Sequence, residues 1–489
     1  MIPFLHTVAA HLARHGAKAL IVGGAVRDML LGKIPKDFDI EVYGLHTLEE
    51  LAALLKPFGN VYEVGKSFGV LKLRIEDETY DFSFPRTETK TGRGHRGFDV
   101  TPDGFLDFAT AAKRRDFTIN ALGYDPLTGE IYDAYGGLHD LQYGILRHID
   151  DATFAEDPLR VYRAVQFAAR FEFDVAYETA ELCRKMVQEG MLNELPKERV
   201  YEEWKKLLLK ARHPSIGFER MREWGILARH FPELQALIGV PQDPTYHPEG
   251  DVWRHTMMAL DAMVDVLASR PAVCEAYRGE KGKLALMYAV LCHDTGKAQT
   301  TTFERASKER IAWKEAVKEG VVPLRIRAFG HEKAGVAPTR ALLARLTNET
   351  RFVDIIVPLV RHHLAVMQFF RNKAKAPAFR RLSTRVNLDA LERVACADFL
   401  GRTTPEALAR KWEAGVWFLS QADRLGIRCK KPEPILQGRD LIAAGYRPSR
   451  CFSAMLDAAF RAQLDGRIRS KEDALAYIAS LPITQECYN

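Results

Sequence analysis

The stretch Ala19–Tyr43 does more than any other to limit how this chain can fold. An apolar run, Ala19–Val22, stops at Gly23-Gly24; a helical stretch, Ala25–Leu31, follows; the next strand-like run, Phe38–Tyr43, is entered through the sequence KDFDIE, Lys36–Glu41. Side chains two apart on a strand leave the same face, so Asp37 and Asp39 project together. Two carboxylates held this way can bind Mg²⁺ between the protein and a nucleotide's phosphates, where a cation pair activates an attacking oxygen and stabilises a leaving one. Paired glycines let backbone approach a triphosphate closely, and amides at a helix start favour phosphate. Arg27 can add a charge-assisted contact. Alone, DxD reads more readily as a solvated acidic strand end than as a metal site, and GG can be an ordinary strand–helix turn. Their succession over so short a stretch is far rarer than either.

Strand signals are concentrated in residues 1–150, where Val61–Val64, Val70–Ile75 and Thr79–Phe84 are further β-like runs separated by turn residues. Lys90–Gly97 (KTGRGHRG) is glycine-rich and basic, the pattern of a mobile loop. Beyond residue 151 the apolar period becomes that of a helix: Leu159, Val161, Ala164, Val165, Ala168 and Phe171 lie largely along one stripe. Proline-rich breaks fall at Val240–Pro248 and Lys430–Pro434, and no internal repeat is visible. The expected fold is α+β: a head with a small mixed sheet and helices over 1–150, then an all-helical body divided into 151–240, 241–410 and a tail, 411–489.

Composition narrows the setting. Hydrophobic residues make up 47% and charged residues 27% of 489, a globular profile; a net charge of +6 permits a polyanionic partner without demanding one. The seven cysteines are odd in number and none stands at CxxC spacing, which argues against a disulfide framework or cysteine-rich zinc site and fits a reducing compartment. The start, MIPFLHTVAAHLARHG, carries His6, His11 and Arg14 and reads as an amphipathic helix, not a signal peptide. No apolar run approaches the ~18 residues needed to span a bilayer. A cytoplasmic chain with no membrane contact is expected.

LIVGGAVRDMLLG followed by KDFDIEVYG resembles the signature of the DNA polymerase beta superfamily and, more narrowly, the bacterial-type (class II) tRNA nucleotidyltransferase and poly(A) polymerase family. The resemblance implies that Gly23 and Gly24 bind triphosphate and that Asp37 and Asp39 hold Mg²⁺. It also implies a third carboxylate on a later strand, with Asp81 in YDFSFPR the best placed and Glu41 the second choice. RRDFTINAL, with Arg114, Arg115, Asp116 and Asn120, is similar to the family segment linking catalytic core and nucleotide pocket. EDPLR resembles the family helix whose Asp and Arg read the incoming base, here Asp157 and Arg160. The chemistry agrees: Asp only accepts hydrogen bonds and Arg donates in a fixed fork, while cytosine and adenine both offer an amino donor beside a ring-nitrogen acceptor. Pro158 suits a first helical position with Asp157 as N-cap, a role compatible with base reading. Arg163, one turn beyond Arg160, either contacts nucleotide or is solvated. For Lys90–Gly97 the resemblance implies a segment coupling nucleotide exchange to primer position; a plain surface loop is the other reading.

A second constellation follows. His255 lies in DVWRHTMMAL, His293-Asp294 precede Thr295-Gly296-Lys297, His331 lies in GHEKAG, His362-His363 in LVRHHL and Asp398 in CADFLGR. Imidazoles with carboxylates suit a divalent transition metal. The order resembles the HD phosphohydrolase superfamily, which implies His255, His293, Asp294 and Asp398 as primary ligands, joined in two-metal members by His331 and one of His362 or His363. HD domains occur in one branch of bacterial class II tRNA nucleotidyltransferases, linked to 2′,3′-cyclic phosphodiesterase and phosphatase activity. The charged stretch Thr300–Gly330 looks longer than usual for these enzymes, as a surface insertion or as something that alters access to the second site. Histidines that only pack in a helical body are the alternative. Arg371–Arg381 has five basic residues and no acidic one, a phosphate-binding strip or a solvated loop.

The expected activity is addition of CMP, CMP and AMP from CTP and ATP to a tRNA 3′ hydroxyl, with no obligate protein partner implied. The resemblance implies that the helices of 151–240 and the C-terminal helices clasp the tRNA by shape. Poly(A) addition is the nearest rival, against which the HD constellation argues; CC-only or A-only addition stays open. A hydrolase with an RNA-binding head, or a tRNA-binding chaperone, are rivals of another class.

Overall fold

Alternating burial along short strands builds the head. The strands are β1 (Lys18–Val22), β2 (Phe38–Tyr43), β3 (Asn60–Val64), β4 (Val70–Ile75), β5 (Glu78–Ser83), β6 (Arg86–Lys90), β7 (Phe98–Pro102), β8 (Leu122–Tyr124) and β9 (Ile131–Asp133). The computed structural model describes residues 2–64, 69–90, 92 and 98–481, and falls into two compact units, Met1–Arg229 and His230–Asn489. The role expected for Lys90–Gly97 rests on residues 91 and 93–97, which lie outside the described residues. Seven strands form one mixed sheet in the order β3-β4-β5-β2-β1-β8-β9, in which β2 and β5 are parallel; β6 and β7 pair separately.

Phe38, Ile40 and Val42 of β2 and Tyr80 and Phe82 of β5 join a core closed by Leu12 of the helix Ile2–Arg14 and Leu51 and Leu55 of the helix Leu48–Leu55. Because strand side chains alternate, the residues between them, Asp39, Glu41 and Asp81, fall on the opposite face. The hydrophobic pattern that stabilises the sheet thereby aims the carboxylates. The helix Leu159–Phe171 packs against Lys197–Lys210 and Pro214–Glu223, burying Val161, Ala164, Val165 and Ala168 as its stripe requires.

The second unit is mostly helical. The helix Glu280–Cys292 is buried from Leu284 to Cys292 and is packed by Val252–Ser269, Thr350–His362 and Leu388–Leu400. Three expectations are corrected here. The body is not all helical: within Thr300–Gly330, Thr301–Glu304 is the middle strand of an antiparallel sheet between Arg310–Ala312 and Arg325–Ala328. Three- and four-residue strands rich in charge carry too little apolar alternation to be recognised. Second, one stretch, Thr350–Arg371, is long and apolar enough to cross a membrane by length and composition; its apolar side packs against Glu280–Cys292, and it carries His363. Third, Cys274 and Cys429 form a disulfide across 155 residues, a pairing that sequence spacing does not reveal. In the tail, Leu436, Leu441, Met455, Ile468 and Ile478 form a small core of their own.

Candidate active sites

In the head, Asp37 ends the approach to β2 and Asp39 follows on the strand; both side chains are exposed, while Phe38 and Ile40 between and beyond them are buried. Asp39 is in register with Val22 of β1 on one side and Asp81 of β5 on the other. Desolvation within the site, opposed by Arg115 and reinforced by Asp81, Glu41 and Asp37, raises the Asp39 carboxyl above its ordinary value. Crowded carboxylates of this kind are relieved by a divalent cation. Glu41 is not part of that group. It is buried and takes the Nη2 of both Arg114 and Arg115 at 3.0 Å, with Tyr43 donating to its other oxygen. Burial alone would raise its carboxyl; Arg115 and Arg114 more than offset that and lower it. Glu41 thus anchors two arginines, and Asp81 is the carboxylate in register with Asp39 on the neighbouring strand.

The residues of the glycine turn and RRDFTIN are one network. Gly23 has φ +74°, and a Cβ there would stand 2.6 Å from Arg115 Nη1. Arg27 lines the cavity described below while donating to Asn120 Oδ1 and to Asp28 Oδ1 and stacking on Phe171 at 4.7 Å. Asn120 Nδ2 donates to Asp116 Oδ1 at 2.9 Å, and Arg163 Nε donates to Asp116 Oδ2 at 2.6 Å. Arg163 is therefore held by Asp116 while remaining part-exposed. Asp157 stands in extended conformation before Pro158, its carboxylate accepting the Leu159 amide at 3.2 Å. That carboxylate is also gripped by Arg199, at 3.2 and 2.9 Å. Arg160 turns from Asp157 to the carbonyls of Arg114 (2.6 Å) and Thr153 (2.7 Å). Two of its five N–H donors are thereby used in these contacts.

These groups enclose a cavity of about 540 Å³ lined by Gly24, Asp39, Asp116, Asn120, Asp157 and eight arginines, Arg27, Arg86, Arg114, Arg115, Arg160, Arg163, Arg170 and Arg199. Even with Glu41 and Asp28 paired to three of these arginines, eight guanidiniums exceed the five carboxylates around them, which makes the cavity attractive to a polyanion of triphosphate size. Arg86, Arg170 and Arg199 were not foreseen: each reaches the cavity through the tertiary fold, and no local motif marks them.

In the second unit, His255, His293, Asp294, His331, His363 and Asp398 are buried together. Asp294 Oδ2 faces His293 Nε2 (3.3 Å) and His255 Nε2 (3.9 Å); its Oδ1 faces His331 Nε2 (3.3 Å) and His363 Nε2 (3.8 Å). Asp398 Oδ1 lies 3.2 Å from His255 Nε2. The Nδ1 atoms of His293, His331 and His363 meet the carbonyls of Val290, Ala328 and Val360 at 2.6–2.7 Å, and that of His255 meets Glu249 at 2.8 Å. A carbonyl or carboxylate only accepts, so each Nδ1 carries the hydrogen, and a ring with no second hydrogen turns an Nε2 lone pair inward. Those lone pairs meet at 3.4 Å between His255 and His293 and 3.2 Å between His331 and His363. Facing lone pairs repel unless a cation lies among them. The donors form two groups sharing Asp294, one with His255 and His293 and one with His331 and His363, which fits two metals bridged by a carboxylate.

Of the paired histidines, His363 joins the cluster; half-buried His362 belongs to neither group. Sequence reasoning also missed Lys297, whose Nζ lies 2.7 Å from Asp294 Oδ2, and Arg402, 2.8 Å from Asp398. Arg402 follows Asp398 by one helical turn, a spacing that marks such pairs. Burial raises the Asp398 carboxyl, but Arg402, His255 and His293 more than offset it, holding that carboxyl well below its usual range.

A mixed sheet with Asp39 and Asp81 in register below an arginine-lined cavity is the frame of a nucleotidyltransferase head. Residues 19–147 match the family described as the poly A polymerase head domain, and 172–238 match the probable RNA and SrmB-binding site of polymerase A. The multifunctional CCA protein of Pasteurella multocida is 38% identical over 413 residues, covering 83% of this chain and 89% of its own. That of Neisseria meningitidis serogroup A is 36% identical over 465 residues, covering 91% and 98%. The chain belongs to the multifunctional CCA protein family. The fold agrees with that of the Bacillus stearothermophilus CCA-adding enzyme in complex with CTP (TM-score 0.61, 22% identity, 99% and 98% covered). It agrees likewise with the Thermotoga maritima CCA-adding enzyme complexed with tRNA (TM-score 0.56, 21% identity, 97% and 94% covered).

Proposed function

We propose that this chain adds the 3′-terminal CCA to tRNA from CTP and ATP, and that its second unit hydrolyses phosphate esters at RNA ends. The observation that carries the first reading is that Asp39, in register with Asp81 and two residues from Asp37, lines a cavity with eight arginines. The tRNA 3′ oxygen bonds to the α-phosphorus, the bond to the β-phosphate oxygen breaks, and pyrophosphate leaves. Mg²⁺ held by Asp37, Asp39 and Asp81 supplies charge neutralisation and an activated oxygen when bound. The chain's own part is positional. Gly23 and Gly24 admit the triphosphate, Arg114 and Arg115 hold it from their anchor on Glu41, and Asp157 with Arg160 reads the base. Asp157 retains acceptor capacity for an amino group, and Arg160 retains donors for a ring nitrogen, so cytosine and adenine fit where uracil and guanine do not.

The second reading is favoured by two buried donor groups sharing Asp294, one with His255 and His293 and one with His331 and His363, with Asp398 beside His255. Such a donor set suits divalent transition metals, which polarise a phosphoryl oxygen and supply hydroxide at neutral pH. On a 2′,3′-cyclic phosphate, water oxygen joins phosphorus, one ribose–oxygen bond to phosphorus breaks, and that oxygen takes the proton.

Purified protein incubated with tRNA lacking CCA should add CC from CTP alone and CCA from both nucleotides, as read by sequencing the ends. Long A tails on arbitrary RNA would sink this reading. Asp37→Ala should abolish addition and leave cyclic-ester hydrolysis, and His293→Ala should do the reverse.

A further inference from the structure

The segment between Lys297 and His331 is fastened to the second site at both ends. Thr301–Glu304 continues from the helix whose Lys297 holds Asp294, and Arg325–Ala328 runs up to His331, whose Nδ1–H donates to the Ala328 carbonyl at 2.7 Å. The strand that orients a metal-facing imidazole also brings Arg327 to the wall of the cavity over the cluster, and Phe329, the residue after the strand, lines it too. Phe329 is 62% exposed, with the Arg310 guanidinium stacked on it at 4.7 Å. Tyr246, 48% exposed, lines the same cavity.

The cavity is about 410 Å³, a size that takes a single nucleotide and no folded RNA. Hydrolysis of a bare phosphate ester needs no ring held out in solvent, whereas every nucleobase has a face that stacks on one. Arg371, exposed and the first residue of the strip Arg371–Arg381, also lines the cavity, so the strip begins where a strand would leave it.

We propose that the inserted sheet is a recognition wall that makes the second site's substrate the last nucleotide of an RNA strand. Its base stacks on Phe329, its phosphorus lies at the Asp294 cluster, and the phosphates before it run along Arg371. This rests on the phosphohydrolase reading above and adds to it what the enzyme grips.

Three cyclic esters test it: glycerol 1,2-cyclic phosphate, which has no base; adenosine 2′,3′-cyclic phosphate; and a tetranucleotide ending in the same group. Phe329→Ala should raise KM about tenfold for both nucleotide esters and leave the glycerol ester within about twofold. Arg371→Ala should weaken the tetranucleotide alone. Equal effects of Phe329→Ala on all three, or none on any, overturn the proposal. Equilibrium binding of adenosine 2′,3′-cyclic phosphate is measured in parallel. If the wild type hydrolyses none of the esters but binds this one about tenfold better than Phe329→Ala does, the hydrolase reading fails and the recognition wall stands. Equal binding by the two proteins overturns the wall.

Discussion

Asp81 of β5 stands beside Asp39 of β2 in parallel register, and the Nζ of Lys72 on β4 reaches it at 3.1 Å. If Asp81 holds Mg²⁺ as proposed, the cation competes with this lysine for the carboxylate. Asp81→Asn should slow nucleotide addition about a hundredfold or more, since a lost cation contact removes several kcal/mol at ~1.4 kcal/mol per tenfold. Lys72→Ala should lower the Mg²⁺ concentration giving half-maximal addition. A wild-type rate in Asp81→Asn would leave Asp37 and Asp39 as the whole carboxylate set.

Arg199 is bidentate on Asp157, which the EDPLR motif offers as a base reader. Its grip fixes the carboxylate's direction. Arg199→Ala frees that side chain to rotate, at a cost of about 1–3 kcal/mol for the lost charged contact. The expected outcome is a roughly tenfold rise in KM for CTP and ATP together with measurable UMP incorporation. Unchanged nucleotide selectivity would make Arg199 a structural strut only.

What could be read in advance was local. Strands β2 to β5 follow from apolar alternation, and the same alternation separated Asp39 from Phe38 and Ile40. The cysteine pair, Arg199 and the choice of His363 over His362 depend on where distant segments meet, which no spacing encodes. Arg27 shows what the fold adds to a motif position: it lines the cavity beside the glycine turn, and Asp28, Asn120 and Phe171 also engage its guanidinium. The strands of 301–328 escaped notice because their stability comes from pairing with one another, and their sequences alternate charge with small residues.

Asp116 gives the head a pH dependence. Its burial favours the neutral acid, but Arg163 and Asn120 more than offset that, so its carboxyl lies below its ordinary 3.8 in the folded protein. A carboxyl with a lower value folded than unfolded stabilises the fold above its unfolded value, and the gain is lost as pH falls through the folded one. Asp116→Asn should therefore melt below the wild type at neutral pH, with the gap closing as pH drops under 3.8. Thermal melts from pH 7 downward measure this; a gap constant with pH would mean the charge on Asp116 contributes nothing.

Metal stoichiometry separates the two histidines that adjoin in sequence. His363 presents Nε2 to Asp294 Oδ1 and to His331, with its Nδ1 tied to Val360, whereas His362 belongs to neither donor group. Removing His363 leaves His331 and one oxygen of Asp294 in its group, too few for tight binding, but leaves His255, His293, Asp294 and Asp398 intact. Elemental analysis after loading with a divalent transition metal should give two equivalents for wild type and His362→Ala and one for His363→Ala. Asp294→Ala, which removes the shared bridge, should hold neither tightly, because each pair of histidines then lacks its common anion. Two equivalents in His363→Ala would move the second metal elsewhere. One equivalent in the wild type would reduce the His331–His363 pair to positioning groups around a single cation.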